Sequence, residues 1–416
     1  MKLKSVDIIL SAIFCAALLF RVVTVMVLDI PPESDYAAYQ LMAQNFLSGN
    51  GFTDGENQAF MSAGYPLLVL VPVFALTGNS LLAAQLVNAF LGAITVLICY
   101  FVARRAGAGR VAGLVAASLL TLYIPSWIYA EYIAKENLMA PLMLGIIWCA
   151  LGLAKKASYT IAALSGLLFG LLALTGNAAL SIGGAVLVAL AFSKTAFGRK
   201  VVSAGIIGVI AVAILTPWLV RNYHVVGTPV INSNSGFNLY VGNNPSATGY
   251  FVSIADTPAG SQWHALRKEH GELGASRILG VLAIDWIKDH PTEALVLSLK
   301  KAAVFWMPPI HGGKGDGSRA ETVSRLIWLV QFMILTSASV ASLAFRNLRT
   351  RSLAILWLAV IGYTGVHMLF YVVFRYREPI MPLLCILSAL SFEQLWRVAQ
   401  QRKNVAVIST VPKVTV

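Results

Sequence analysis

Residues 8–36 read IILSAIFCAALLFRVVTVMVLDIPPESDY. Up to Val27 the stretch is apolar apart from Arg21, which is long enough to cross a bilayer as one helix. It is too long for the core of a cleavable signal peptide, and no small-x-small site follows, so an uncleaved first span is expected. Pro31 and Pro32 then break the helix. Ser34 is suited to cap a new one, and Asp35 to occupy its first turn, where the helix dipole favours an ionised carboxylate. Tyr36, Tyr39, Ala43, Phe46 and Leu47 recur at helical spacing and predict an amphipathic helix on the membrane surface, ended by Gly49-Asn50-Gly51.

The rest of the 416-residue chain has the same character. Hydrophobic residues make up 58% of it and charged residues 12%, against roughly 25% charged for a soluble domain. Too few polar groups exist to cover a water-facing surface, which excludes a soluble globular enzyme and a disordered chain. Further apolar runs lie near 80–103, 110–126, 137–154, 158–175, 178–193, 200–219, 323–345, 352–373 and 379–396. The fold class is thus an all-α polytopic membrane protein with about ten transmembrane helices. Segments 62–78, with Gly64, Pro66 and Pro72, and 293–307, with Lys300 and Lys301, read as interfacial helices. The organisation expected is an N-terminal membrane region 1–219 of about seven spans with a first outer loop 29–79, a large outer loop 220–321, and a C-terminal region 322–416 of about three spans with a short cytoplasmic tail.

The net charge of +13 could suggest nucleic-acid binding, but its placement writes membrane topology instead. With the N-terminus inside, 17 basic residues fall in the cytoplasm, among them Arg104, Arg105, Lys155, Lys194, Arg351 and Arg397, and three in the short outer loops, Lys135, Arg375 and Arg377. Of the 18 acids only Asp7 and Glu393 fall inside. Both termini are therefore expected in the cytoplasm and the polar chemistry outside. The four cysteines, Cys15, Cys99, Cys149 and Cys385, each lie in an apolar run and look like neither disulfide partners nor metal ligands.

The outer segments carry the candidate chemistry. Glu131, Lys135 and Glu136 sit beside Trp127, Tyr129 and Tyr132 at the mouth of two spans, where ionisable groups are expensive and usually functional. An anchoring Glu131–Lys135 pair four residues apart is the plain alternative. The stretch 232–249 is dense in Asn, Ser, Thr and Gly, including Asn243 and Asn244, and suits hydrogen bonding to a polyol. Residues 262–293 read as a solvated helix. The last outer turn, from His367 to Pro379, holds Arg375 and Arg377, and paired guanidinium groups suit a phosphate. His264 and His270 lack metalloprotease spacing and no Cys/His cluster exists, so no metal site is read. The glycine run around His311 and Lys314 lacks the Lys-Ser/Thr pair of a phosphate loop.

The order of these motifs resembles a known family. Asp35-x3-Tyr39-x3-Ala43-x-Asn45-x3-Gly49-x-Gly51-Phe52, then Ala63-Gly64-Tyr65-Pro66, Thr216-Pro217-Trp218-x2-Arg221-Asn222, Gly242-Asn243-Asn244-Pro245 and Arg375-Tyr376-Arg377-x-Pro379 are similar in order and position to GT-C glycosyltransferases. The likeness is to the bacterial protein-mannosyltransferase-like family that includes the aminoarabinose–lipid A transferase. It covers about residues 30–390. It implies a sugar donor carried on polyprenyl (undecaprenyl) phosphate and used at the periplasmic face of the bacterial inner membrane, with inversion at the sugar carbon. The acceptor would be a hydroxyl or phosphate of a glycan, lipid or protein, as in lipopolysaccharide, surface-glycan or protein glycosylation. It implies that Asp35 is the catalytic base. Many members carry adjacent Asp-Glu there, whereas this chain has Glu33-Ser34-Asp35-Tyr36, so Glu33, Glu131 and Glu136 are the candidate second acids. Lys135, Arg221, Arg375 and Arg377 are the candidate phosphate-binding cations, and Tyr36, Tyr39, Tyr65, Asn243, Asn244 and His367 the candidate substrate contacts. No cofactor is called for, a divalent metal staying open, and membrane lipids are partners while nucleic acid is not. A transporter or flippase of lipid-linked sugars is the alternative; it would show repeated halves and midplane charges, whereas here the charges gather at one face.

Overall fold

The computed structural model describes residues 3–308 and 318–409, with side chains left aside at 3–7 and 403–409. The run around His311 and Lys314 lies outside the described residues. The described chain is helical, without a strand; its one isolated bridge joins Tyr250 to Val372.

Every expected span falls on a helix. In chain order the helices at the expected positions are α1 (Leu3–Val27), α4 (Leu81–Ala106), α5 (Arg110–Leu122) with α6 (Pro125–Glu131), α7 (Glu136–Lys155), α8 (Tyr159–Thr175), α9 (Gly183–Phe192), α10 (Phe197–Val226), α14 (Arg319–Ala341), α15 (Arg351–His367) and α16 (Met381–Ser409). Six described helices are long and apolar enough to cross a membrane, and α5 with α6, bent by 53° at Tyr123-Ile124, makes a seventh if taken as one span. The reading overreached in length at α8, α9 and α15, which have 17, 10 and 17 residues. Gly176 leaves the helical backbone and Asn177–Ile182 forms a tight 3-10 stretch, so α8 and α9 are two short pieces around a polar break.

Between these helices lie the elements of the expected outer loops: α2 (Asp35–Leu47), α3 (Val71–Thr77), α11 (Ser235–Gly242), α12 (Trp263–Asp289) and α13 (Pro291–Trp306). The end of α2 is as expected, since Gly49 and Gly51 have φ of +79° and +82°. Its start is not: Ser34 has φ +52° and its side chain makes no capping bond. Tyr39, Met42 and Ala43 of α2 bury against Tyr65, Leu70 and Phe74, so this helix rests on segment 62–78.

The main core is built by α4, α5, α7, α9, α15 and α16. Close approach comes from small residues: a Cβ at Gly166 of α8 would stand 2.7 Å from the Ile207 carbonyl of α10, and one at Gly170 3.0 Å from the Ala211 carbonyl. Arg21 inside α1 is buried and donates to Ala17 O (2.8 Å) and Ser126 Oγ (2.9 Å). Two ends result. Lys155, Lys194 and Arg351 line one hollow, and Asp35, Glu136 and Arg375 meet at the other end.

Candidate active site

Three segments, far apart in sequence, each deliver one charge to one place. Asp35 opens α2, Glu136 opens α7, and Arg375 lies in the 3-10 turn Phe374–Ile380 that leads into α16. Arg375 forms an ion pair with Asp35 through Nη2 and Oδ2, and its Nε lies 3.7 Å from Glu136 Oε1. The guanidinium is flanked by the rings of Tyr36 (5.2 Å) and Tyr376 (5.7 Å), a favourable cation–π setting. Asp35 is the more open acid, with 36% of its side chain exposed against 4% for Glu136. Burial pushes the Tyr36 hydroxyl up to about 12, against the opposing pull of Arg375, so this group stays a proton donor near neutral pH.

Glu136 and Tyr376 also line a cavity of about 240 Å³. An amide and hydroxyl wall belongs to the same lining: Ser62, Asn177, Asn232, Asn234, Ser235 and Asn238. Lys135, His367, Tyr363 and Tyr371 complete the polar lining, with Met139, Val366 and Phe370 as its apolar part. Lys135 has no ion pair among the described residues, so the cavity carries an ammonium available to an anion. Asp35 and Arg375 lie beside this lining, Arg375 meeting two of its residues, Glu136 and Tyr376.

Of the residues read from sequence, this brings together Asp35, Glu136, Lys135, Arg375, Tyr36 and His367. His367 lines the cavity with Nδ1 set on the Tyr363 carbonyl at 2.7 Å. The others are elsewhere. Glu33 is exposed. Glu131 is buried and accepts from the Ile30 amide at 3.1 Å, and it forms no pair with Lys135. Arg221 donates to the carbonyls of Phe52 (2.7 Å) and Gln58 in the first outer loop and lies over Trp218. Arg377 is fully buried, donates to Phe305 O and Met307 O at 3.2 and 2.6 Å, and packs on Phe332. Residues two apart in a 3-10 turn point about 120° from one another, which is why Arg375 and Arg377 part company. Tyr39 is buried, and Tyr65 donates to Asn88 Oδ1 at 2.8 Å. Asn243 and Asn244 turn their amides back onto carbonyls, Leu369 O at 2.7 Å and Tyr240 O at 2.8 Å, and hold chain turns instead of facing the cavity.

The sequence reading did not single out Ser62, Asn177 or Tyr363. Asn177 had a signal, since it is the polar break between two apolar runs on the outer side. Among the described residues no three His, Cys, Asp or Glu side chains converge as metal ligands would.

No family model matches this chain, and no curated protein sequence matches it. Solved structures do. The oligosaccharyltransferase of Archaeoglobus fulgidus in its apo form is similar over 100% of this chain and 53% of its own, with a TM-score of 0.55 at 13% identity. The archaeal oligosaccharyltransferase AglB from the same organism, in complex with an inhibitory peptide and a dolichol-phosphate, is similar over 98% and 52%, with a TM-score of 0.53 at 12% identity. ArnT from Cupriavidus metallidurans bound to undecaprenyl phosphate gives a TM-score of 0.46 at 17% identity over 91% of this chain and 78% of its own. The chain thus spans about half the length of the oligosaccharyltransferase. The fold is like that of the archaeal oligosaccharyltransferase.

Proposed function

We propose that this protein is a membrane glycosyltransferase that moves a sugar from a polyprenyl-phosphate donor to an acceptor hydroxyl on the outward, periplasmic face of a bacterial inner membrane. The observation that carries the reading is the Asp35–Arg375–Glu136 cluster beside an amide-lined cavity with a free Lys135. Such a transfer breaks the bond from the sugar anomeric carbon to the phosphate oxygen and forms one to the acceptor oxygen. The acceptor proton goes to a base, and polyprenyl phosphate leaves as an anion.

In this reading Asp35 is the base, with the exposure to meet an acceptor and return its proton to water. Arg375 and Lys135 hold the departing phosphate. The amide wall meets sugar hydroxyls. Arg375 is engaged by Asp35 in the free protein, and a donor phosphate competes for the same guanidinium. Donor binding therefore loosens Asp35 from its partner and leaves its carboxylate free to meet the acceptor hydroxyl. Glu136 keeps Arg375 oriented throughout. Attack opposite the phosphate inverts the anomeric centre. In this reading the first outer loop 29–79, inside membrane region 1–219, and the long loop that precedes membrane region 322–416 both face outward.

The test is transfer by membranes containing the protein, given a panel of polyprenyl-phosphate sugars, with mass analysis of lipid, glycan and protein products. A sugar-sized mass gain that depends on donor lipid and is reduced in Arg375→Lys is expected. No product from any donor with wild-type protein sinks the reading.

A further inference from the structure

Two charged side chains outside the cavity grip one turn of the first outer loop from two elements. Arg221, near the outer end of α10, donates through Nη1 to the Gln58 carbonyl, and through Nη2 to the Phe52 carbonyl (2.7 Å) and Gln58 Oε1 (3.3 Å). Glu272 of α12 accepts from the Gln58 amide (2.7 Å), the Ala59 amide (2.8 Å) and the Ser233 hydroxyl (3.0 Å). The Ser233 amide in turn donates to the Ala59 carbonyl at 2.8 Å. Segment 58–59 thus has a carbonyl on a guanidinium and its amides on a carboxylate. Hydrogen bonds to charged groups are roughly twice as strong as neutral ones.

The turn so held is the root of the cavity wall. Ser62 follows Ala59 by three residues, and Asn232, Asn234 and Ser235 flank Ser233; all four line the cavity. The wall is otherwise short loop, which has little core of its own to fix its shape. Glu272 owes its place to a break in α12: Gly271 has φ +66°, a conformation that favours glycine. Beyond the break α12 is locked to the wall. Ser276 Oγ accepts from the Phe237 amide at 3.1 Å, and the Ser276 carbonyl comes so close to Gly236 that a Cβ there would stand 2.0 Å from it. Phe60 packs edge-on against Phe237 at 5.3 Å, closing the same seam.

We propose that Arg221 and Glu272 are a paired positioning clamp that sets the shape of the amide wall, and through it the affinity for the sugar-bearing substrate, without touching the reacting atoms. The substrate half of this inference rests on the transferase reading; the clamp itself does not.

The test uses the full chain in detergent micelles, as wild type, Glu272→Gln, Glu272→Asp, Arg221→Lys and the double Arg221→Lys/Glu272→Gln. In Glu272→Gln an amide N–H must face a backbone N–H, so exchange of the amides in 57–63 with deuterium should rise about 10-fold while the core of α7 stays protected. Glu272→Asp keeps the acceptors and should recover part of that protection. KM for the donor should rise about 10-fold with kcat within about 3-fold, a split that a general loss of folding does not give. The double variant should exchange no faster than the worse single one, because the two groups act on one turn. Unchanged exchange at 57–63 in all variants, additive effects, or a fall in kcat at constant KM overturns the clamp. If wild type transfers nothing, the exchange measurements still decide the clamp, and only the transferase reading falls.

Discussion

Arg375 stands between two carboxylates that have no other ion-pair partner among the described residues, and that placement sorts the site by substitution. Asp35→Asn keeps size and removes the proton acceptor at a partly exposed position. Turnover should drop by roughly 10²–10⁴-fold while the protein still folds. Glu33→Gln should leave turnover near wild type, because Glu33 faces water. Transfer by the variants at matched protein levels checks this; near-normal turnover in Asp35→Asn with none in Glu136→Gln would move the base to Glu136. Arg375→Lys keeps the charge but not the planar fork that reaches two acids at once, so donor affinity should weaken by about 10-fold or more with expression intact. Arg375→Ala leaves Glu136 buried and unpaired, a situation that costs about 3–5 kcal/mol, so a loss of folded protein is expected there and in the Ala variant alone. Asp35, Lys135, Glu136 and Arg375 were legible because each is a charge at the outer end of an apolar run, where a charge is expensive unless it is used. Arg221, Arg377, Asn243 and Asn244 were not. Position along the chain says which end of a span a side chain occupies, but not which carbonyl its donors meet.

At the scale of the element, α13 carries the sharpest difference between pattern and packing. The sequence reads 293–307 as an interfacial helix carrying Lys300 and Lys301. Instead Lys301 is fully buried and donates to Asn243 Oδ1 at 2.9 Å, tying α13 to the turn before the long loop's second half. Burial pushes its ammonium down to about 8. An unfolded lysine holds its proton to about 10.4. Between these values the unfolded chain binds more protons than the folded one, so the Lys301 contribution to stability rises with pH from about 8 upward and is at its least favourable below that. Comparing thermal unfolding of wild type and Lys301→Met between pH 8 and 10 should show the difference moving toward wild type by about 2 kcal/mol. A difference that is flat in pH, or that moves toward the variant, rules this out. The fold itself was legible at this scale because spans announce themselves by apolarity over a bilayer's length. What apolarity could not supply was where a span breaks: the Gly176–Asn177 interruption and the bend at Tyr123-Ile124 depend on neighbours that the local pattern does not contain.

For the whole molecule the prediction is sidedness, and α7 makes the argument by itself. Its first residue, Glu136, lines the candidate site, and its last, Lys155, lines the hollow shared with Lys194 and Arg351. Twenty residues of helix separate them, about 30 Å at 1.5 Å per residue, which is the thickness of a hydrocarbon core. Other contacts fall on the same two sides. Arg105 lies on Trp148, and Glu393 takes the Gly109 amide, both at the Lys155 end of their helices. Tyr65 meets Asn88, and Asp35 meets Arg375, at the other. Basic residues in short loops remain in the cytoplasm during insertion, so the Lys155 end should face in and the Asp35 end out. Single cysteines at Ser246 and Ser261, both exposed, should react with an impermeant maleimide in intact spheroplasts; one at Asn347, exposed beside Arg346, should react only after lysis. A Cys15→Ser background removes the one exposed native thiol. The reverse labelling pattern would put the site on the cytoplasmic side, where polyprenyl-linked sugars are not presented to outward acceptors, and the proposed function would fall with the orientation.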